Sequence, residues 1–237
     1  MTIEEKFEYE IVTPGTRAYH DYLALRHKVF CEELKRLPAC DLYFGDFQLE
    51  SDAYDVHSLH ILCRSLETGV AAGCSRMILP SAIGLSITSR YTISYQPSIS
   101  PSHIGELSRL AIASELRRYR GGRISEGGGE HATQPSYRTR MMDKKYGSYV
   151  AMGLYRENFK LAHRYGITHF YAAMEPSLAR LLVRQGFPFQ KVGPLNTQIK
   201  PARQPYLIGV HAIRAAMPVC DACLPEFMPK HTPGRLQ

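Results

Sequence analysis

A mixed α/β domain, with a sheet flanked by helices, is the fold class the sequence predicts. Alternating or continuous apolar segments suited to strands recur at residues 7–13, 57–66, 70–79, 104–113, 168–174 and 206–213. Helical three/four spacing appears between them, and glycine and proline punctuate the junctions. At 237 residues the chain can bury a core without disulfides or metals, and the expected organisation is one domain over 1–217 with an extended, proline-containing tail over 218–237.

Taken in order, the first strand stops at Pro14-Gly15, and Thr16 caps a helix through Leu34 with Tyr19, Tyr22, Leu23, Arg26, Val29 and Phe30 on one face. Residues 39–56 read as irregular and acidic. The strands over 57–66 and 70–79 flank Glu67-Thr68-Gly69, a hairpin signal. Residues 81–102, rich in Ser, Thr and Pro, read as a long mobile loop, and so does the polar, Gly-rich stretch 114–140. A helix is expected over 143–165, stopped by Gly166. A strand follows over 168–174, and then a helix opened by Pro176 and closed by Gly186. The last strand is expected over 206–213.

Composition excludes several classes. With 44% hydrophobic and 22% charged residues the chain is neither fibrous nor wholly disordered. No apolar run reaches the ~18–20 residues of a spanning helix. The acidic start, Met1 to Glu10, has no signal-peptide core, so the expected location is the cytoplasm. Cys220 and Cys223 have CxxC spacing, but without a second pair they read as tail residues rather than a zinc site, and no metal is expected. The net charge is +7, concentrated in 117–145, where eight basic residues face three acidic ones. This stretch is either a solvated loop or the footprint of an anionic partner. No nucleic-acid-binding motif accompanies the charge, so nucleic acid is not expected as that partner.

Four further segments carry chemistry: Arg26-His-Lys-Val-Phe30, Asp52-Ala-Tyr-Asp55, Ser75-Arg76-Met-Ile-Leu79 and Glu106-Leu-Ser108-Arg109-Leu110. In that order and spacing they resemble the opening helix, acidic pair, third-strand arginine and fourth-strand Glu-x-Ser-Arg of acyl-homoserine lactone synthases. The strand–helix–Gly186-Phe187 ending is similar to that of the GCN5-related N-acetyltransferase fold. The form Glu50-Ser-Asp52-Ala-Tyr-Asp55-Val-His-Ser-Leu-His60 resembles N-acyl amino acid synthases, including acyltransferases associated with PEP-CTERM/exosortase systems. Arg36 stands where lactone synthases carry a Trp, and the chain has no Trp, so the resemblance favours the amino acid synthase branch, with a lactone synthase using S-adenosylmethionine as the nearest alternative and a basic nucleic-acid or protein-binding module as the alternative of another class.

The implied reaction is attack of an amine on a fatty acyl thioester, with Glu106 as base and Ser108 near the thioester or its tetrahedral centre. Along a strand these two share a face, while Leu107 and Arg109 point away. Pairing of Glu106 with a nearby arginine is the structural alternative. Asp52 and Asp55 bind the substrate ammonium or pair with Arg26 and Arg76. Arg26, on the apolar face with Phe30, needs a carboxylate from the fold or the substrate. Arg109 reads as structural or substrate-contacting. No cysteine has a His base beside it, so Cys31 and Cys74 are not expected as nucleophiles.

No permanently bound cofactor is implied, only an acyl-thioester donor. Arg118-Tyr-Arg-Gly121-Gly122-Arg123 departs from the pyrophosphate-binding turn of acetyl-coenzyme A enzymes of this fold, with Arg123 at a required small position. Acyl carrier protein is therefore expected ahead of acyl-coenzyme A as donor, docking on Arg117, Arg118, Arg120 and Arg123. An amino acid is the expected acceptor, and membrane-surface contact is expected only through the lipid product.

Overall fold

A computed structural model describes residues 6–38, 41–117 and 137–216. The fold is mixed α/β. Its main sheet has seven strands in the order β1-β4-β5-β6-β7-β9-β8, and a two-stranded hairpin stands apart from it. The strands are β1 (Phe7–Val12), β2 (Leu42–Phe44), β3 (Phe47–Leu49), β4 (Ser58–Ser65), β5 (Ala71–Ile78), β6 (Ile104–Ile112), β7 (His169–Met174), β8 (Gln190–Lys191) and β9 (Gln204–Gly209). The helices are α1 (Arg17–His27), α2 (Ser86–Arg90), α3 (Tyr137–Arg164), α4 (Pro176–Arg184) and α5 (Val210–Ala216). Among the described residues no helix is long and apolar enough to cross a membrane.

The chain divides into two compact units. The first takes its residues from 1–51, 60–75 and 109–155, the second from 52–59, 76–108 and 156–237. In the first, β1 lies antiparallel to β4 from Phe7↔Ser65 to Val12↔His60. Thr16 caps α1 as the sequence predicts, its hydroxyl accepting the Tyr19 N–H at 3.2 Å. The helix does not continue regularly to Leu34: Lys28–Glu33 forms a wider π-turn, and the Phe30 carbonyl accepts the N–H groups of Arg36 and Leu37. The face read from the sequence is buried, with Tyr22, Leu23, Val29 and Phe30 packed in one apolar cluster with Leu49, Leu62, Cys74 and Ala111.

In the second unit β6 runs parallel to β7, but the paired register covers only Ile104↔His169, Gly105↔Phe170 and Glu106↔Tyr171. β7 goes on pairing with β9 through Met174↔Gln204. Glu106 therefore stands at the last rung of the β6–β7 ladder. A second apolar cluster of Ile87, Ile104, Tyr171, Val192 and Leu207 forms the core beside it.

The structure departs from the sequence expectations in several places. Residues 39–56 are not wholly irregular, since β2 and β3 pair there; each strand has three residues, too few for alternation to announce it. The stretch read as a long loop, 81–102, contains α2, and Ile87 anchors it in the apolar cluster at 1% exposure. The strand expected over 206–213 ends at Gly209 and turns into α5. The helix expected over 143–165 begins earlier, at Tyr137. Residues 118–136 and the tail, 217–237, lie outside the described residues, so most of the loop read over 114–140 does too, together with Cys220 and Cys223.

Candidate active site

Glu106 is 5% exposed and held at both carboxylate oxygens. The Ser86 hydroxyl donates to Oε1 at 3.1 Å and the Ile87 N–H donates to Oε2 at 2.8 Å. The carboxylate thus closes the N-terminal end of α2, where backbone N–H groups lack helical partners. Burial raises its pKa above the ordinary carboxylate value, an effect opposed by the Ile87 N–H, the Arg76 guanidinium, the Ser86 hydroxyl and Arg90. A buried carboxyl with an elevated pKa is suited to proton transfer near neutral pH. The alternative of a direct ion pair with arginine is not what is found: Glu106 accepts from a hydroxyl and a backbone amide.

Arg76, fully buried on β5, gathers three of the expected residues. Its Nη1 lies 2.6 Å from Asp52 Oδ1 and 2.7 Å from Asp55 Oδ1, and its Nη2 lies 3.1 Å from Asp52 Oδ2. Its Nε donates to Ser108 Oγ at 3.0 Å. The two aspartates are arranged locally as well. Asp55 accepts the Asp52 N–H at 2.8 Å and Asp52 accepts the Tyr54 N–H at 2.9 Å, an Asx turn that aims both carboxylates. The alternative of Asp52 and Asp55 pairing with arginine is therefore realised with Arg76. Buried charges demand such partners.

Arg26 meets a carboxylate of the fold, Glu50. In the first unit its Nε lies 2.5 Å from Glu50 Oε2. Arg109 reaches the same carboxylate, with Nη2 at 2.9 Å from Oε1. Burial alone would raise the pKa of Glu50, but the two guanidiniums outweigh it and hold the group below the ordinary range. Arg109 also lies over the Phe30 ring, 5.9 Å from its centroid. Its backbone has φ 51°, left-handed for a non-glycine residue, so plain strand alternation does not carry past Ser108. Such a conformation costs about 1–3 kcal/mol and persists only where surroundings impose it, here the Glu50 and Phe30 contacts.

Two site residues escaped the sequence reading. Glu50 sits inside the quoted acidic motif, but nothing in the sequence shows that it joins two arginines. Ser86 carries no motif, and a lone serine in a Ser/Thr-rich segment gives no signal. Arg117 is half-buried and pairs with Glu33, so it is not a free surface charge. Arg118, Arg120 and Arg123 lie outside the described residues. Burial pushes the Cys74 thiol up to about 12, which leaves no thiolate nucleophile there. No cluster that could hold a metal occurs among the described residues.

Residues 25–125 match the acetyltransferase (GNAT) domain family. An acyl-homoserine-lactone synthase of Vibrio anguillarum is 25% identical over 177 residues, covering 74% of this chain and 76% of the relative. Among solved structures, BjaI, a coenzyme A-dependent acyl-homoserine lactone synthase, superposes with TM-score 0.57 at 17% identity, over 90% of each chain. FeeM, an N-acyl amino acid synthase from uncultured soil microbes, does so with TM-score 0.50 at 11% identity, over 91% of this chain and 97% of FeeM. With the matched segment spanning Arg26, Asp52, Asp55, Arg76, Glu106, Ser108 and Arg109, the chain is a GNAT-domain acyltransferase related to the acyl-homoserine lactone synthases.

Proposed function

We propose that this acyltransferase moves a fatty acyl group from an acyl carrier protein thioester to the α-amino group of an amino acid, giving an N-acyl amino acid. The observation that carries the reading is Glu106, a buried carboxyl with a raised pKa, gripped at both oxygens at the end of the β6–β7 ladder.

The neutral amine attacks the thioester carbonyl carbon, forming the C–N bond. Glu106 accepts the proton shed by nitrogen, directly or through water, and the tetrahedral centre collapses with cleavage of the C–S bond. The departing thiolate takes a proton, so the products are an amide and a free thiol. An α-amino group has a pKa of about 7.7–8.0, so roughly a tenth is neutral at pH 7 and deprotonation is a small part of the barrier. A base contributes about 10²–10⁴-fold. Holding amine and thioester together contributes more, about 7–11 kcal/mol. Ser108, fixed by Arg76, is assigned to the thioester side. Arg76 with Asp52 and Asp55 is assigned to framing the acceptor, and for Arg26, Phe30 and Arg109 the substrate-binding assignment rests on the motif resemblance alone.

For the donor, Arg118, Arg120 and Arg123 are assigned to docking an acidic carrier protein. The coenzyme A dependence of BjaI keeps acyl-coenzyme A as the competing donor. A second acceptor reading, S-adenosylmethionine with lactone formation, is favoured by the Vibrio relative. Arg36 in place of the lactone synthases' Trp favours the amino acid.

The test is mass spectrometry of products from purified protein given acyl carrier protein or coenzyme A thioesters with either amino acids or S-adenosylmethionine. N-acyl amino acids formed faster from the carrier protein support the proposal. Acyl lactones overturn the acceptor, and preference for coenzyme A overturns the donor.

A further inference from the structure

We propose that Ser86 is the positioning residue of the acyl transfer, setting the aim and the proton affinity of Glu106 through α2. The inference deepens the proposed reaction and rests on Glu106 being its base.

A carboxylate that removes a proton must keep one lone pair free and pointed at the acceptor, which requires its other oxygen contacts to be fixed. Here Oε1 and Oε2 each accept a bond from consecutive residues of one short helix, Ser86 and Ile87. The grip is rigid because α2 is anchored from several directions. Ile87 is buried with Ile104, Tyr171, Val192 and Leu207. Ser89 exchanges a hydrogen bond with the Tyr54 hydroxyl at 3.3 Å. Beyond the helix, the Ser94 N–H donates to the Val192 carbonyl at 2.7 Å. Ser86 itself is 4% exposed, so water does not readily replace its hydroxyl.

The remaining polar groups around Glu106 are Arg76 from β5, Arg90 from α2, Tyr91 just after it, and Tyr171 across the ladder. Beside these, Ser86 donates a side-chain hydrogen bond directly to the carboxylate. A hydrogen bond to the ionised form favours it. Removing the Ser86 hydroxyl therefore makes the base harder to ionise and free to turn about its remaining contact at Ile87.

The experiment compares Ser86→Ala, Ser86→Thr and Glu106→Gln with the wild-type chain. Readouts are kcat and KM across pH, melting temperature, and infrared titration of the Glu106 carboxyl, assigned by its absence in Glu106→Gln. Ser86→Ala is expected to lower kcat about ten- to hundredfold, the range for a hydrogen bond to a charged group, with both KM values nearly unchanged. The carboxyl titration and the acid limb of the rate profile should move to higher pH, and Ser86→Thr should restore both. Unchanged kcat and titration in Ser86→Ala beside an inactive Glu106→Gln would overturn the positioning role and leave the base in place. A slow Ser86→Ala with an unmoved titration would mark a merely structural hydroxyl and also overturn it. A fully active Glu106→Gln would overturn the base, and the positioning role with it.

Discussion

In the proposed reaction, the titration of Glu106 links chemistry to stability. Its pKa is raised by burial from an ordinary value of 4.5, so the folded protein holds that proton to higher pH than the unfolded chain does. The resulting stabilisation is complete below the unfolded value and is lost as pH rises through the folded value. Glu106→Gln, uncharged at every pH, is expected to gain melting temperature relative to wild type as pH rises above about 4.5, and to lose about 10²–10⁴-fold in turnover. Calorimetric melts across that range with parallel rates check both. A constant difference in melting temperature would show that Glu106 does not titrate there. At this scale the pairing of Asp52 and Asp55 with Arg76 is legible in the sequence as one of two alternatives, and so is the place of Glu106 on β6. Arg26 pairs with Glu50, a partner that neither residue type nor periodicity announces.

Among the elements, the starts marked by capping signals are legible, α1 at its Thr16 cap and α4 at Pro176, whereas the π-turn that ends the first helical stretch is not. Elements that tertiary contacts create were missed. α2 has five residues with a single apolar anchor, Ile87, far too few for a helix to stand on its own propensity. The segment that follows is held by close approach as well. A Cβ on Gly193 would lie 2.0 Å from the Thr92 carbonyl oxygen, so only glycine permits this packing. Gly193→Ala is expected to cost about 1–3 kcal/mol by overpacking, a fall of several degrees in melting temperature. Thermal melts check it, and an unchanged melting temperature would show that residues 88–96 relax freely.

At the level of the whole molecule, composition indicates a globular chain with a basic excess, interleaved periodicities indicate the α/β class, and the ordered motifs indicate an acyltransferase. In the proposed reaction the basic segment docks the carrier protein, and because Arg117 is engaged by Glu33, that role is assigned to Arg118, Arg120 and Arg123. Reversing these three to Glu is expected to raise KM for acyl carrier protein and flatten its salt dependence, because rim charges act on encounter and are screened over about 8 Å at physiological ionic strength. Rates with a small soluble thioester should barely change. Equal loss with both donors would assign the arginines to the fold or the active centre.

The carboxylate that closes α2 also gives the acyl-transfer rate a second meaning. Ser86 and Glu106 are 20 residues apart in the chain, and their bond exists only when the intervening stretch has docked. In an enzyme that uses Glu106 as its base, no molecule with this stretch undocked has an aimed base, however much of the remaining sheet is intact. Catalytic output therefore counts docked molecules rather than folded ones. Under mild denaturant or heat it should fade before the spectroscopic signal of the sheet does, which makes the activity a gauge of one local folding event.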